Sequence, residues 1–476
     1  MNRRKFLQTT SGAALGYSVI SSAGSAVAAR PQVDQRYITS SSQQGPLPSR
    51  EFVGDPVHQH AVARYSSWKF GMFIHWGQFS VASVEASWPI MRPSAEFPIT
   101  QDAYVSLYRQ FNPTQFNPDA WVRLAKQAGM RYMVFTTKHH DGFCMFDTSY
   151  TDYKITNSPY KKDVVAMLAE ATKKQSMPLG FYYSPPDMHH PDYRDTSKPV
   201  STNWNGEPTR PVWPIYLHYM ELQLRELLTH YGEVALVWFD GLNDQRKYDG
   251  YRMQRVIHEM QAQTLINNRI GTLGDFETPE QFLPNAIPVR GKRLDFDHKD
   301  AGSRPGEVPP PEDFRLWETC MTINNTWGYN KNDRNFKSAK TLIQHLVEVA
   351  SKGGNFLLNV GPEPDGTIQP EFVDRLETIG KWLNVNGASI YDTTYGPLQS
   401  LPYGKTTARG KTIFLHVFDW PNGDLEVSGV HARVQQVTLL AAGKALQFSQ
   451  QASQVTIHVP KKAPDPYVTV LEIVTI

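Results

Sequence analysis

The stretch Asn117–His140, NPDAWVRLAKQAGMRYMVFTTKHH, reads as a helix, a stop at Gly129 and then an apolar β-prone run that ends in Lys-His-His. The unit recurs. KKDVVAMLAEATKKQSMPLGFYYSPPD, 161–187, repeats it and closes its strand at Tyr182-Tyr183; YLHYMELQLRELLTHYGEVALVWFDG, 216–241, repeats it through Gly232 to Asp240. YRMQRVIHEMQAQTLINNR ends at Arg269, and TLIQHLVEVASKGGNFLLNVGP passes through Asn359. An earlier apolar run, WKFGMFIHWG, ends in His75-Trp76-Gly77. Helix and strand alternate with almost no hairpin signal, which predicts a parallel sheet covered by helices. At least six such strands predict an α/β fold, a (β/α)8-like TIM barrel over 56–392 with lengthened loops at 84–110 and 284–314. After Ile390 the pattern becomes short strands with turns, such as KTIFLHVFDW, QVTIHVP and YVTVLEIVTI, which predicts a small antiparallel β-sandwich over 393–476.

The first 29 residues read as an export signal of the twin-arginine type. Arg3-Arg4 precedes a mild apolar stretch, and Ala26-Val27-Ala28 suits cleavage. Residues 30–55 are a polar leader. The expected location is periplasmic or secreted, with no membrane attachment of the mature chain. With 48 basic and 46 acidic residues, no net field points to nucleic acid. The cysteines, Cys144 and Cys320, support neither a disulfide framework nor a thiolate metal site, and buried free thiols are expected. Oligomeric state stays open, a homo-oligomer included.

A buried strand ending abruptly in Lys138, His139, His140 and Asp141 is costly unless those groups meet water, a ligand or one another. In a parallel barrel, the C-terminal strand ends converge on one mouth, where active sites are built. The groups standing there are His75, His139, His140, Tyr182, Trp238, Asp240 and Arg269. Neighbouring strand residues point to opposite faces, so only one of His139 and His140 should enter the barrel unless the strand has already bent. His58-Gln59-His60 has metal-ligand spacing but lies in a polar segment with no matching cage later, and is read as a solvated pair; His189-His190 is read as loop. No Gly-x-Ser-x-Gly elbow and no glycine-rich phosphate loop occurs. Carboxylate chemistry remains. Asp240 ends an apolar strand, and Glu277, Glu280 and Glu318 follow within 80 residues. One ionised and one protonated carboxyl at a barrel mouth is what cleavage of a glycosidic bond needs.

Five motifs, FGMFIHWGQFSV, TTKHHDGFCMFDTSYTDY, ALVWFDG, WETCMTINNTWGYN and GGNFLLNVGPEPDGTI, together resemble the α-L-fucosidases of glycoside hydrolase family 29, in that family's order, from about Gln59 to Thr394. The resemblance implies a barrel followed by a β-sandwich, and a retaining exo-glycosidase that removes terminal α-L-fucose from fucosylated glycans without cofactor or metal. It places the nucleophile on Asp240 and sugar contacts on His75, Trp88, His139, His140, Tyr182, Trp238 and Arg269. The acid/base aligns with Glu280, with Glu318 and then Glu277 as second and third choices. Many family members have Glu directly before the Trp88 position, where this chain has Ser87, with Glu85 two residues earlier. The competing readings are a barrel that binds fucose without cleaving it, a glycosidase for another deoxy or galacto-configured sugar, and a metalloenzyme.

Overall fold

Asn117 opens the decisive helix because its side chain accepts the Ala120 N–H at 3.0 Å and Pro118 presets the first turn. This helix, α2 (Pro118–Gln127), buries Trp121, Val122, Leu124 and Ala125 on one face. Gly129 ends it at φ +83°, where a Cβ would collide with Leu383 and Tyr391. The next strand, β2 (Tyr132–Lys138), is buried throughout. Deleting the Trp121 side chain would cost about 3–5 kcal/mol, the usual range for a large buried aromatic.

The computed structural model describes residues 54–91, 99–193, 211–241, 245–292 and 303–476. The stretches read as an export signal (1–29) and most of the one read as a leader (30–55) lie outside the described residues. Helix α1 (Pro56–Trp68) leads into β1 (Phe70–Ile74). After β2 come α3 (Val164–Lys174), β3 (Leu179–Tyr183), α4 (Trp213–His230), β4 (Leu236–Phe239), α5 (Gly250–Met260) and a two-residue β5 (Leu265–Ile266). Then follow β6 (Glu318–Thr322), α6 (Ala339–Ser351), β7 (Asn355–Val360) and α7 (Pro370–Asn386). Among the described residues these strands form one parallel sheet in the order β5-β4-β3-β2-β1-β7-β6. Alternation along the strands sorts the side chains. Phe73, Val134, Tyr182, Leu236, Trp238 and Leu357 share the interior cluster. Their neighbours Ile74, Phe135, Phe181, Val237 and Leu358 join the outer layer, packed with the helices.

The sheet is open between β5 and β6, and residues 276–280 occupy that gap. They bridge in parallel to Asn267 on one side and to Trp317 and Cys320 on the other. The eighth position of the barrel is therefore an irregular segment that follows β5 without an intervening α-helix. The expected loop at 84–110 is partly helical, with short turns at Trp88–Met91 and Gln101–Val105; its residues 92–98 lie outside the described residues.

The C-terminal strands β8 (Thr394–Tyr395), β9 (Gly404–Arg409), β10 (Thr412–Val417), β11 (Leu425–Ser428), β12 (Val434–Leu439), β13 (Lys444–Ala445), β14 (Phe448–Gln451), β15 (Gln454–Ile457) and β16 (Thr469–Thr475) pair antiparallel. They make sheets β13-β12-β16-β10-β9-β8 and β11-β15-β14 around Leu415, Val427, Ile457, Leu471 and Ile473. Trp382 of α7 donates to the Val468 carbonyl at 3.0 Å, tying this sandwich to the barrel's last helix. Among the described residues no helix is long and apolar enough to cross a membrane.

Candidate active site

Strand β2 breaks register at its end: Thr136 pairs with Tyr182, but Lys138 pairs with Tyr183. That shift turns Lys138 outward, where Nζ lies 3.1 Å from Asp187 Oδ2 and 4.4 Å from the Tyr183 ring centre. Burial opposes ionisation of Asp187, but Lys138, His190 and His189 hold its carboxyl below the usual range. Gly142, at φ +78°, passes so close to Asp187 that a Cβ would sit 2.2 Å from Oδ1. Asp141 accepts from Tyr104 Oη at 2.9 Å and from the Phe143 N–H at 3.1 Å, and burial raises it to about 6. Lys138 and Asp141 thus clamp the strand end, and both histidines are left at the mouth.

Asp240 follows β4 directly. Its Oδ2 accepts from Tyr182 Oη at 2.8 Å and lies 3.3 Å from His140 Nε2; its Oδ1 accepts from Arg269 Nη1 at 2.9 Å. Burial pushes the carboxyl up, yet His140, Arg269 and Tyr182 together hold it well below the usual carboxylate range. The His140 ring is oriented from behind. Ser184 Oγ donates to the Pro186 carbonyl at 2.6 Å, so it accepts from His140 Nδ1, also at 2.6 Å, and Nε2 faces Asp240.

Arg269 sits on a 3-10 turn, Asn268–Ile270, just past the short β5. Thr278 fixes its guanidinium through Oγ1 and the backbone carbonyl, each at 2.8 Å, and Cζ lies 4.6 Å from the centre of the Trp238 ring. Nη1, which serves Asp240, also donates to Glu280 Oε2 at 2.7 Å. One nitrogen between two carboxylates limits the facing oxygens to a separation below about 5.6 Å. Retaining glycosidases hold their carboxyls about 5–5.5 Å apart, whereas inverting ones need about 6.5–9.5 Å. Burial raises the pKa of Glu280; Arg269 opposes this, and the Asp240 charge adds to it.

His75 Nδ1 is 2.7 Å from Asn359 Oδ1, whose Nδ2 donates to the Trp327 carbonyl at 2.8 Å. Nδ1 therefore carries the proton. Burial lowers His75 to about 4, so the ring is neutral at pH 7 and Nε2 is an acceptor. Burial, with His140 and His75 beside it, also lowers His139. His139 stacks on Tyr182 (5.3 Å, 7°), and Tyr182 on Trp238 (5.7 Å, 15°); Trp327 packs on His75 at 4.9 Å. Neutral imidazoles among aromatic faces suit a ring with hydroxyls on one side and an apolar edge on the other.

The structure brings together His75, His139, His140, Tyr182, Trp238, Asp240, Arg269 and Glu280. Both histidines reach the mouth because they lie beyond the register shift. Glu318 is elsewhere. It begins β6 beneath Trp238 and accepts from Tyr65 Oη at 2.7 Å, from Tyr132 Oη and from Trp238 Nε1 at 2.8 Å. Burial raises it to about 7. Glu277 is held by Asn268 Nδ2 at 2.9 Å and Arg315 Nε at 3.4 Å. Trp88 is half-buried beside Phe79, Ile90 and Tyr104; its neighbour Ser87 places Oγ 2.6 Å from His139 Nδ1. Trp327 is not legible in the sequence as a site residue; Glu85 is the carboxylate two residues before Ser87, where many family members carry Glu. Both Glu85 oxygens lie 2.9 Å from the Trp327 N–H, and burial raises this carboxyl to about 8. The repeated Trp-Gly of WETCMTINNTWGYN, matching His75-Trp76-Gly77, is the signal that marks Trp327.

Among the described residues two groups carry metal-ligand atoms within 4.8 Å of one another: His139, His140 and Asp240, and His58, His258 and Asp275. In the first, the Arg269 guanidinium on Asp240 disfavours a second cation. The second corrects the reading of His58 as solvated: only His60 is exposed, while His58 is buried and meets partners over 200 residues away in sequence. Cys144 and Cys320 are buried free thiols, as expected.

The sequence model for alpha-L-fucosidase matches residues 50–388. The chain is 30% identical over 453 residues to the plasma alpha-L-fucosidase of Homo sapiens, covering 86% of this chain and 88% of that protein. It is 28% identical over 418 residues to the tissue enzyme of Bos taurus, covering 81% of each. Alpha-L-fucosidase isoenzyme 1 from Paenibacillus thiaminolyticus superposes with a TM-score of 0.77 at 33% identity, over 88% of this chain and all of that one. A family 29 alpha-L-fucosidase from Bacteroides thetaiotaomicron, trapped as a covalent intermediate with 2-fluoro-fucosyl fluoride in a Glu-to-Gln mutant, superposes with a TM-score of 0.73 at 28% identity, over 87% of this chain and 95% of that one.

Proposed function

The chain belongs to the alpha-L-fucosidases of glycoside hydrolase family 29, retaining glycosidases, and from that premise we propose that Asp240 is its nucleophile and Glu280 its acid/base. The observation that carries this reading is the single Arg269 nitrogen shared by the two carboxylates.

The ionised Asp240 attacks C1 of a terminal α-L-fucose as the bond from C1 to the leaving oxygen breaks. Glu280 gives its proton to that oxygen. The product is a β-linked fucosyl ester on Asp240. Forming the ester removes the Asp240 charge, so one cause of the raised Glu280 pKa disappears, and Glu280, now a carboxylate, is suited to act as base. It takes a proton from water, whose oxygen attacks C1 and releases Asp240 and fucose of the original configuration. His75 Nε2, with His139 and His140, meets sugar hydroxyls, and the half-buried Trp327, packed on His75, takes the apolar edge with its C6 methyl.

Brief reaction with 2-fluoro-fucosyl fluoride, followed by digestion and mass spectrometry, tests the nucleophile. The sugar is expected on the peptide that contains Asp240. A label on another carboxylate refutes the assignment.

The proposal extends to a catalytic part over 56–392, a sandwich over 393–476, and export with removal of about the first 28 residues. The intact mass of the protein recovered from its producing cells tests the last point. A mass that retains Arg3-Arg4 refutes it.

A further inference from the structure

We propose that His58, His258 and Asp275 bind one divalent transition-metal ion of the zinc class, at a structural site separate from the sugar site. The three residues come from α1, from α5 and from the segment after β5. His58 Nε2 lies 2.8 Å from Asp275 Oδ1, and His258 Nε2 lies 4.0 Å from Oδ2. The two rings meet edge to face at 4.8 Å, and their residues are 5% and 3% exposed.

His58 Nδ1 lies 3.0 Å from the Ala262 carbonyl. A carbonyl only accepts, so Nδ1 carries a proton, and in the neutral ring Nε2 is a lone pair aimed at a carboxylate. Two acceptors at that distance repel unless a cation joins them. A second proton on His58 answers this for His58 alone. A metal ion also engages His258, whose Nε2 faces the same carboxylate. A backbone carbonyl behind one ring nitrogen and an ion on the other is the usual support of a metal-binding histidine. Ions held at about 2.0–2.2 Å need ligand atoms about 3–4 Å apart, which small side-chain movements provide here. Two imidazoles and one carboxylate suit zinc, cobalt or nickel, whereas calcium and magnesium favour all-oxygen sets. Burial opposes positive charge on both rings, whereas the Asp275 and Asp55 carboxylates favour it. Arg315 works against it, donating to the Asp275 carbonyl at 3.2 Å, but its charge is directed to Glu277.

The location gives the ion a role. Asp275 exchanges hydrogen bonds with Ile266 at the end of β5, at 2.7 and 2.8 Å. Three residues later Thr278 holds Arg269, and five residues later stands Glu280. An ion here fastens α1 and α5 to the root of the segment that fills the eighth barrel position. It contributes stability and takes no part in bond cleavage.

The test uses the full chain, stripped with a chelator and titrated with Zn2+ and, for its visible spectrum, Co2+. We expect one equivalent to bind, a melting temperature several degrees higher, and unchanged turnover of an aryl α-L-fucoside well below that temperature. His258→Ala and the milder His258→Gln should each weaken binding at least tenfold and abolish the melting shift, while the exposed His60→Ala leaves both intact. The cobalt spectrum of the unsubstituted chain should show imidazole ligation even if both His258 variants fail to fold. Absence of stoichiometric binding overturns the proposal and leaves His58–Asp275 as an imidazolium–carboxylate pair. Binding that survives both His258 changes but is lost in His139→Ala also overturns it, since the ion would then sit at the mouth.

Discussion

Glu318 gives the sharpest test of which glutamate does chemistry. It accepts from Tyr65, Tyr132 and Trp238 at the barrel floor. Truncating it in Glu318→Ala strands three buried donors at about 1–3 kcal/mol each, a loss of about 3–9 kcal/mol from a total stability of about 5–15 kcal/mol. Little folded protein is expected. Glu318→Gln is the informative change, because its amide resembles the protonated acid. Burial lifts the folded-state value from 4.5 to about 7. The folded protein therefore keeps this proton up to about pH 7, whereas the unfolded chain releases it near pH 4.5. Across that window the unfolded state binds fewer protons, so stability falls as pH rises, by about 3 kcal/mol in all. The contribution is fully present below pH 4.5 and gone above pH 7. Urea unfolding followed by tryptophan fluorescence at pH 4.5, 6 and 8 should show this loss in the parent chain and a flatter profile in Glu318→Gln. Activity of that variant should stay within about tenfold of the parent, since no proton is transferred from this position. The reasoning fails if a folded Glu318→Gln keeps activity on an aryl fucoside and loses it on a fucosyl disaccharide, or if its stability depends on pH as steeply as the parent's does.

Glu280→Gln should lose about 10²- to 10⁴-fold on a fucosyl disaccharide and far less on a nitrophenyl fucoside, whose leaving group departs without a proton; azide should then give the retained α-fucosyl azide. Equal losses on both substrates would remove Glu280 from the role. Asp240→Gly should cut turnover by several orders of magnitude with the fold intact, and azide should restore part of it as the inverted β-fucosyl azide; near-parent activity would refute it. The profile of kcat/KM against pH should have an acid limb below the usual carboxylate range, set by Asp240, and an alkaline limb above the usual glutamate range, set by Glu280. Loss of the alkaline limb in Glu280→Gln checks the second assignment.

Local patterns determined the barrel. Helix stops such as Gly129 and Gly232, apolar strands and their polar ends depend on neighbours within one turn or one strand, so they are legible in the chain itself. The convergence of His75, Tyr182, Trp238, Asp240 and Arg269 followed from the rule that parallel strands end at one mouth. What tertiary structure decided was pairing across long separations. The register shift at Lys138, which admits both histidines, exists only because β2 meets β3. Glu280 faces Asp240 because residues 276–280 fill the gap between β5 and β6, which no periodicity in GDFETPEQ announces. Glu318, in RLWETCM, is also a glutamate downstream of Asp240 in the sequence, yet it lies beneath Trp238. His58 looks solvated in its polar segment until the fold sets His258 and Asp275 against it. Burial and charge partnership are properties of the packed whole, and they alone separate one glutamate, or one histidine, from the next.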